Sequence, residues 1–171
     1  MLNADQVSRA TRCPLGNVAE IWPLVLRALA DQGIDSENTQ IAAAATIATE
    51  TPKFLPIREL LASPDRQPAL AASQARYFPF YGRGLVQITW RDNYVAAGQA
   101  LGLDLVNHPE LALEPEAAAK ILVWFFRIHG VNKVADQAEW RMVRRLVNGG
   151  VNGLEAFLDF VTALQAEVAS V

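Results

Sequence analysis

Apolar positions along this chain recur mostly at helical spacing, and alternation of strand type is confined to one short run. Asn17 and Glu20 stand as a capping box ahead of a Trp22, Leu26 and Leu29 face, which predicts a helix stopping at Gly33 with Pro23 inside its first turns. Asp35 or Ser36 can cap the next helix. Its Ile41, Ala44, Ala45 and Ala48 share a side small enough for close packing, and Pro52 ends it just after Glu50. A short helix is predicted over 57–62 and a loop over 63–75. Two glycines then precede a β-favouring run, read as a turn leading into a strand over 85–90. Further helices are predicted over 93–101, stopped by Gly102; from Pro115 through Ala118, Ile121, Leu122 and Phe125 to Gly130; and over 139–147 and 154–168. The pattern is that of a mainly α fold with one small β region.

Composition narrows the class. The chain has 171 residues, of which 51% are hydrophobic and 19% charged, enough for a single compact domain spanning 1–171 and incompatible with disorder. No internal repeat or low-complexity linker divides it, so no second module is expected. The net charge of −3 disfavours nucleic acid and anionic membrane surfaces as partners. Cys13 is the only cysteine, which excludes an internal disulfide and a cysteine-cluster zinc site. The first residues lack a signal-peptide pattern, and the strongest apolar runs, 41–48 and 121–126, fall short of the roughly 20 residues that cross a bilayer. The expectation is a soluble product made in the cytoplasm, without stable membrane association.

Two carboxylates carry the first chemical suggestion. Glu50 ends a small-residue helix, where the partial negative charge of the helix terminus disfavours another negative charge. Glu59 follows nine positions later, and Pro52 and Pro56 prevent one helix from carrying both, so the chain can turn and bring the two together as acid/base hydrolysis requires. Solvated helix-end residues are the alternative. Gln87 and Thr89, two apart on the predicted strand, would face one side and want polar partners such as sugar hydroxyls or a water, the alternative being a tight turn with two exposed polar groups. Tyr77, Phe78, Phe80, Tyr81 and Trp90 flank the same place and could stack on sugar faces, Tyr81 being counted among the substrate-binding residues. Arg83, inside the glycine turn, is read as pinning the loop to a carboxylate. With only His108 and His129 as histidines, no metal site is expected.

These blocks resemble a known family. The segments 41–51, 54–59, Tyr81-Gly-Arg-Gly-Leu-Val-Gln-Ile-Thr-Trp-Arg-Asp-Asn-Tyr94 and Arg145-Leu-Val-Asn-Gly-Gly-Val-Asn-Gly-Leu154, in this order, are similar to the family 19 glycoside hydrolases, in particular to the chitinase-like endolysins of bacteriophages. The resemblance implies a lysozyme-like, two-lobed helical fold with a central cleft and an inverting, cofactor-free mechanism. Within it Glu50 matches the general acid, Glu59 the general base and Thr89 the hydroxyl that helps hold the attacking water, while Gln87, Asn93 and Asn148 match sugar-binding positions. It also implies β-1,4 bonds of bacterial peptidoglycan as the target, with chitin oligosaccharides or a silent glycan-binding domain as alternatives. The protein would then be a monomer, made in the host cytoplasm and let through by a holin to the wall in the periplasm. Three positions depart from the family's pattern: Thr49 stands where many members have histidine, Asp92 where plant chitinases have tyrosine, and Phe157 where many relatives have arginine. Arg144 or Arg145 is expected to supply the missing charge.

Overall fold

The computed structural model describes residues 1–170. Among them the chain runs through α1 (Ala4–Thr11), α2 (Leu15–Asp31), α3 (Glu37–Glu50), β1 (Ile57–Arg58), α4 (Pro68–Ala75), β2 (Arg83–Gly84) and α5 (Arg91–Leu101). A 3-10 turn at Pro109–Leu113 leads to α6 (Pro115–Ile128), α7 (Val131–Asp136), α8 (Trp140–Asn148) and α9 (Leu154–Ala169). The fold is mainly helical with one two-stranded antiparallel sheet, as expected.

The organising element is α3. Every residue from Thr39 to Ala48 is buried, so this helix has no solvent face and must be enclosed by others. It packs against α1, α2, α7, α8 and α9, and its run of alanines lets those neighbours approach closely. Ser36 caps it, accepting from the Thr39 backbone N–H at 3.1 Å, and Thr51 closes its other end by donating its N–H to the Ile47 carbonyl at 2.7 Å. A second packing centre pairs α2 with α6. The smaller lobe, built on the sheet and α4, joins the larger one where β2 touches α6 and the 3-10 turn. Glu50 therefore ends the central helix at the point where the chain leaves one lobe for the other.

Four predicted local features differ in the structure. α2 begins at Leu15, after Pro14, with no side-chain cap; Asn17 instead donates to the Lys53 carbonyl at 2.8 Å, so the Asn17–Glu20 capping box does not form. The 57–62 segment is not helical, because Ile57 and Arg58 pair with Gly84 and Arg83, and the Glu59 N–H continues the ladder to the Gly82 carbonyl at 2.7 Å. The 63–75 loop contains α4, started by Pro68 in its first turn. The 85–90 run is a tight turn rather than a strand: Arg83 and Ile88 bridge each other at 3.2 and 3.0 Å, and Gln87 adopts a left-handed φ of 53°. Leu85 and Val86 are buried core side chains there, so their β preference reflects burial instead of pairing.

Gly84 is a position where only glycine fits. Its φ is +85°, and a Cβ would lie 2.8 Å from the Ala112 carbonyl oxygen, a backbone atom that cannot swing away. Gly84→Ala is expected to cost about 2 kcal/mol, from backbone strain and overpacking together, read as a lower midpoint in urea unfolding.

Candidate active site

The Glu59 carboxylate follows directly on β1 and is received by three donors. Its Oε1 accepts from the Gln74 amide at 2.9 Å and the Tyr77 hydroxyl at 2.8 Å, and its Oε2 accepts from the Gly82 N–H at 3.0 Å. Partial burial pushes this carboxyl upward, but the bonds from Gln74, Gly82 and Tyr77 together outweigh it and hold it below its ordinary value. Tyr77 is pushed up to about 12, by burial first and then by its bond to Glu59 and that residue's charge, so it stays a donor throughout the neutral range. Beside Glu59 lies a cavity of about 220 Å³, lined also by Arg58, Leu60, Leu61 and Tyr81.

Tyr81 is fixed from both ends. Its carbonyl accepts from the Tyr94 hydroxyl at 2.8 Å, while its ring lies 3.7 Å beneath the Arg83 guanidinium and stacks on Phe78. Arg83 is buried and pins the loop as expected, but through the Pro79 carbonyl and the Tyr94 hydroxyl, each at 3.0 Å, rather than through a carboxylate. The glycine turn is thereby stabilised from inside.

Gln87, Thr89 and Asn93 form a relay along the turn. The Gln87 amide donates to the Ile57 and Gly84 carbonyls at 2.9 and 3.0 Å, the Thr89 hydroxyl donates to the Gln87 carbonyl at 2.9 Å, and the Asn93 amide donates to the Thr89 carbonyl at 2.7 Å. The shared face expected for Gln87 and Thr89 on a strand is replaced by this turn, and α5 after it starts with no side-chain cap. Gly82 nonetheless keeps Gln87 near the carboxylate: a Cβ there would meet Gln87 Oε1 at 2.9 Å and Glu59 Oε2 at 3.5 Å. Thr89→Val removes one hydrogen bond inside the turn and one hydroxyl beside it. A water-holding role predicts lower kcat with little change in KM, on top of a stability loss near 1 kcal/mol, read from turnover and melting of the same sample. Unchanged turnover with lowered melting would leave Thr89 a turn residue alone.

The second cluster surrounds Glu50, whose side chain is 18% exposed. Its Oε1 accepts from Arg144 Nη1, and its Oε2 has no hydrogen-bond partner among the described residues. Arg144, only 4% exposed, also donates its Nε–H to the Asn152 carbonyl at 2.8 Å, tying the end of α3 to the turn between α8 and α9. Of the two arginines considered, Arg144 supplies the cation and Arg145 is exposed. Phe157, at the position where an arginine is expected from the resemblance, is fully buried core. Gly153 makes the approach possible, because a Cβ there would lie 3.0 Å from Thr49 Cγ2 and 3.1 Å from Arg144 Nη2. Asn148, half-buried, ends α8 beside the same turn.

The structure thus gathers Glu59, Tyr81, Gln87, Thr89 and Asn93 around one turn, and Glu50 and Asn148 around another. No hydrogen bond or ion pair among the described residues joins the two clusters. What links them is the 51–58 segment, held by buried Phe54, which takes a φ of 58° and packs edge-on against Trp22, and by Asn17 and Cys13 on the Lys53 and Pro52 carbonyls. Nothing at position 74 of the sequence marks Gln74, and Tyr77 stands out there only as a flanking aromatic. Their contact with Glu59 depends on α4, whose residues look loop-like in isolation. His108 pairs with exposed Glu110, and His129 packs on Phe125, so neither takes part in these clusters.

Residues 57–139 match the family model for glycoside hydrolase family 19, described as chitinase class I, a segment that contains Glu59, Tyr81, Gln87, Thr89 and Asn93 and begins after Glu50. The chain is 41% identical over 75 residues to an endochitinase of Arabidopsis thaliana, covering 43% of this chain and 26% of that protein. It is 51% identical over 49 residues to chitinase 11 of Oryza sativa subsp. japonica, covering 28% and 19%. An inactive chitinase-like protein 1 of Hevea brasiliensis is 48% identical over 48 residues, covering 28% and 15%. The chain therefore aligns with well under two thirds of the length of these curated relatives. Among solved structures, chitinase C from Streptomyces griseus superposes with a TM-score of 0.71 at 20% identity, covering 98% of this chain and 76% of that one. A class IV chitinase from Zea mays does so with a TM-score of 0.62 at 22% identity, covering 94% and 80%.

Proposed function

We propose that this chain is a member of the family 19 glycoside hydrolases, whose model its central segment matches, and a glycosidase that cuts β-1,4 bonds in an N-acetylglucosamine glycan of chitin type. The observation that supports the reading is that two carboxylates, one on either side of the 51–58 segment, are held differently. Glu59 is kept ionised by three donors beside a cavity, as a base must be, and Glu50 has one oxygen committed to Arg144 and the other without a partner.

In the proposed step a water gives a proton to Glu59 as its oxygen bonds to the anomeric carbon. The bond from that carbon to the glycosidic oxygen breaks, and the leaving oxygen takes the proton of Glu50. The product anomer is inverted, and no cofactor enters. Gln87, Thr89 and Asn93 line the approach to the water, while Tyr81 and Asn148 hold the sugar chain. Chitin stands ahead of peptidoglycan because the matched relatives carry chitinase names. Peptidoglycan, the target expected from the phage-like resemblance, is the second reading. It is favoured by Asp92, which lines a pocket of about 240 Å³ with Tyr77, Trp90, Arg76 and Arg91 at the position where plant relatives have tyrosine.

The test offers chitin oligosaccharides and purified peptidoglycan side by side and reads new reducing ends and, by NMR, the anomer first formed. Cleavage of chitin oligosaccharides with inversion is the expected result. Cleavage of peptidoglycan alone would move the substrate to the second reading, retention of configuration would remove the mechanism, and inertness on both would make the chain a glycan-binding module.

A further inference from the structure

Glu59 has two oxygens, and the structure treats them unequally. Oε1 accepts two hydrogen bonds, from Gln74 and Tyr77, which fill both of its lone-pair directions in the carboxylate plane. Oε2 accepts one, from the Gly82 N–H, which leaves one of its acceptor positions without a donor among the described residues, and the Gln87 Oε1 acceptor stands close to the same glycine. The orientation of the Gln74 amide follows from its own partners. Its oxygen must accept from the Ala62 N–H at 2.6 Å, and its NH₂ must donate to the Leu60 carbonyl at 2.9 Å, so the group turned to Glu59 is a donor. Gln74 is buried, and among the described residues the Tyr77 hydroxyl has Glu59 as its single hydrogen-bond partner while its ring rests edge-on against Trp90 at 5.1 Å.

We infer that Gln74 and Tyr77 are positioning residues for the base: they lock Glu59 Oε1 out of the reaction and leave Oε2 as the oxygen that takes the water's proton. This rests on the glycosidase reading above. The pair also gives α4 a purpose, since this helix and the residues just after it bring both donors to the carboxylate. The other charged or titratable groups near Glu59 are Arg58 beside it in the chain, Tyr81 across the cavity, and Tyr94 with Arg83 behind the glycine turn. None of these donates a hydrogen bond to either Glu59 oxygen.

Two variants of the full chain test the inference. Tyr77→Phe deletes one donor and keeps the ring on Trp90. Gln74→Glu keeps the shape and the acceptor for Ala62 but turns an oxygen toward Glu59. Losing donors, or facing a second carboxylate, raises the Glu59 pKa, so the acidic limb of kcat must move to higher pH. The expected results are an upward move of the Glu59 carboxyl titration followed by NMR, and a turnover at pH 5 that falls about two- to fourfold in Tyr77→Phe and further in Gln74→Glu. The loss narrows toward neutral pH, with KM little changed. The titration needs no substrate, which separates two failures. An unmoved Glu59 titration in folded Tyr77→Phe and Gln74→Glu overturns the positioning role. A moved titration with an unmoved acidic limb in an active enzyme shows that Glu59 is not the base, and overturns the reading on which the inference rests.

Discussion

Glu50→Gln and Glu59→Gln are each expected to lower kcat by about 10²–10⁴-fold, the range that positioned acid/base groups contribute, while differing in what they do to the fold. An amide at position 50 can still accept from Arg144 through its oxygen, but it no longer offsets the buried guanidinium's charge, so melting should fall, by less than when Arg144 itself is replaced. An amide at position 59 meets donors on both sides. With its oxygen toward Gln74 and Tyr77, its NH₂ faces the Gly82 N–H, and either orientation sets donor against donor at a cost of about 1 kcal/mol. The pair is measured by turnover on the preferred glycan and by urea unfolding. Retention of most activity by either folded variant removes that carboxyl from the chemistry. There is a pH consequence as well. The Glu59 carboxyl is depressed in the fold, so its bonds stabilise the protein above the ordinary carboxylate range, and that contribution disappears as pH falls through the depressed value. Glu59→Gln should flatten this acid-side loss.

The sequence exposes the carboxylates more readily than it exposes what holds them. Glu50 is legible because capping by Ser36, a run of small residues and Pro52 delimit α3 by local rules, and the same rules set Gly102 after α5, Pro115 at the head of α6 and α9 near its observed length. Even α1 has a readable start, the reciprocal Asn3–Gln6 capping box, although it carries too short an apolar stripe to stand out. The two-residue strands leave no periodic trace, and they exist only because Ile57 and Arg58 meet the glycine turn across a gap of some 25 positions. Ile57 and Arg58 therefore read as helix start in isolation. Gln74 is the sharper case. Its amide is oriented by Leu60 and Ala62, a dozen or more residues away, so nothing at its own position marks it as a partner of Glu59. The β-favouring run after Gly84 fails for the opposite reason, since Leu85 and Val86 are wanted by the core and the backbone turns beneath them.

Replacing Arg144 should have the largest effect on stability at the site. Its guanidinium uses two edges at once, Nη1 on Glu50 and Nε on the Asn152 carbonyl, and both charged side chains are more than four-fifths buried. Arg144→Met strands the Glu50 carboxylate without its cation and leaves the Asn152 carbonyl unpaired, with an expected cost of about 3 kcal/mol. Arg144→Lys keeps the charge, but one ammonium on a flexible stem cannot hold both acceptors at the spacing of a planar fork, so an intermediate loss is expected. Turnover should follow the same order, because the bond from Arg144 fixes the rotamer that presents Glu50 Oε2. The pairing is isolated by a double-mutant cycle: once Glu50→Gln has removed the charge, Arg144→Met should cost distinctly less than it does alone. Phe157→Arg provides the complementary measurement. Position 157 is sealed in the core, so a second guanidinium there should destabilise the unaltered protein and should not restore turnover to Arg144→Met. Wild-type stability and turnover in Arg144→Lys would mean that charge alone suffices, and recovery of activity by adding Phe157→Arg to Arg144→Met would mean that the cation can reach Glu50 from α9 as well as from α8.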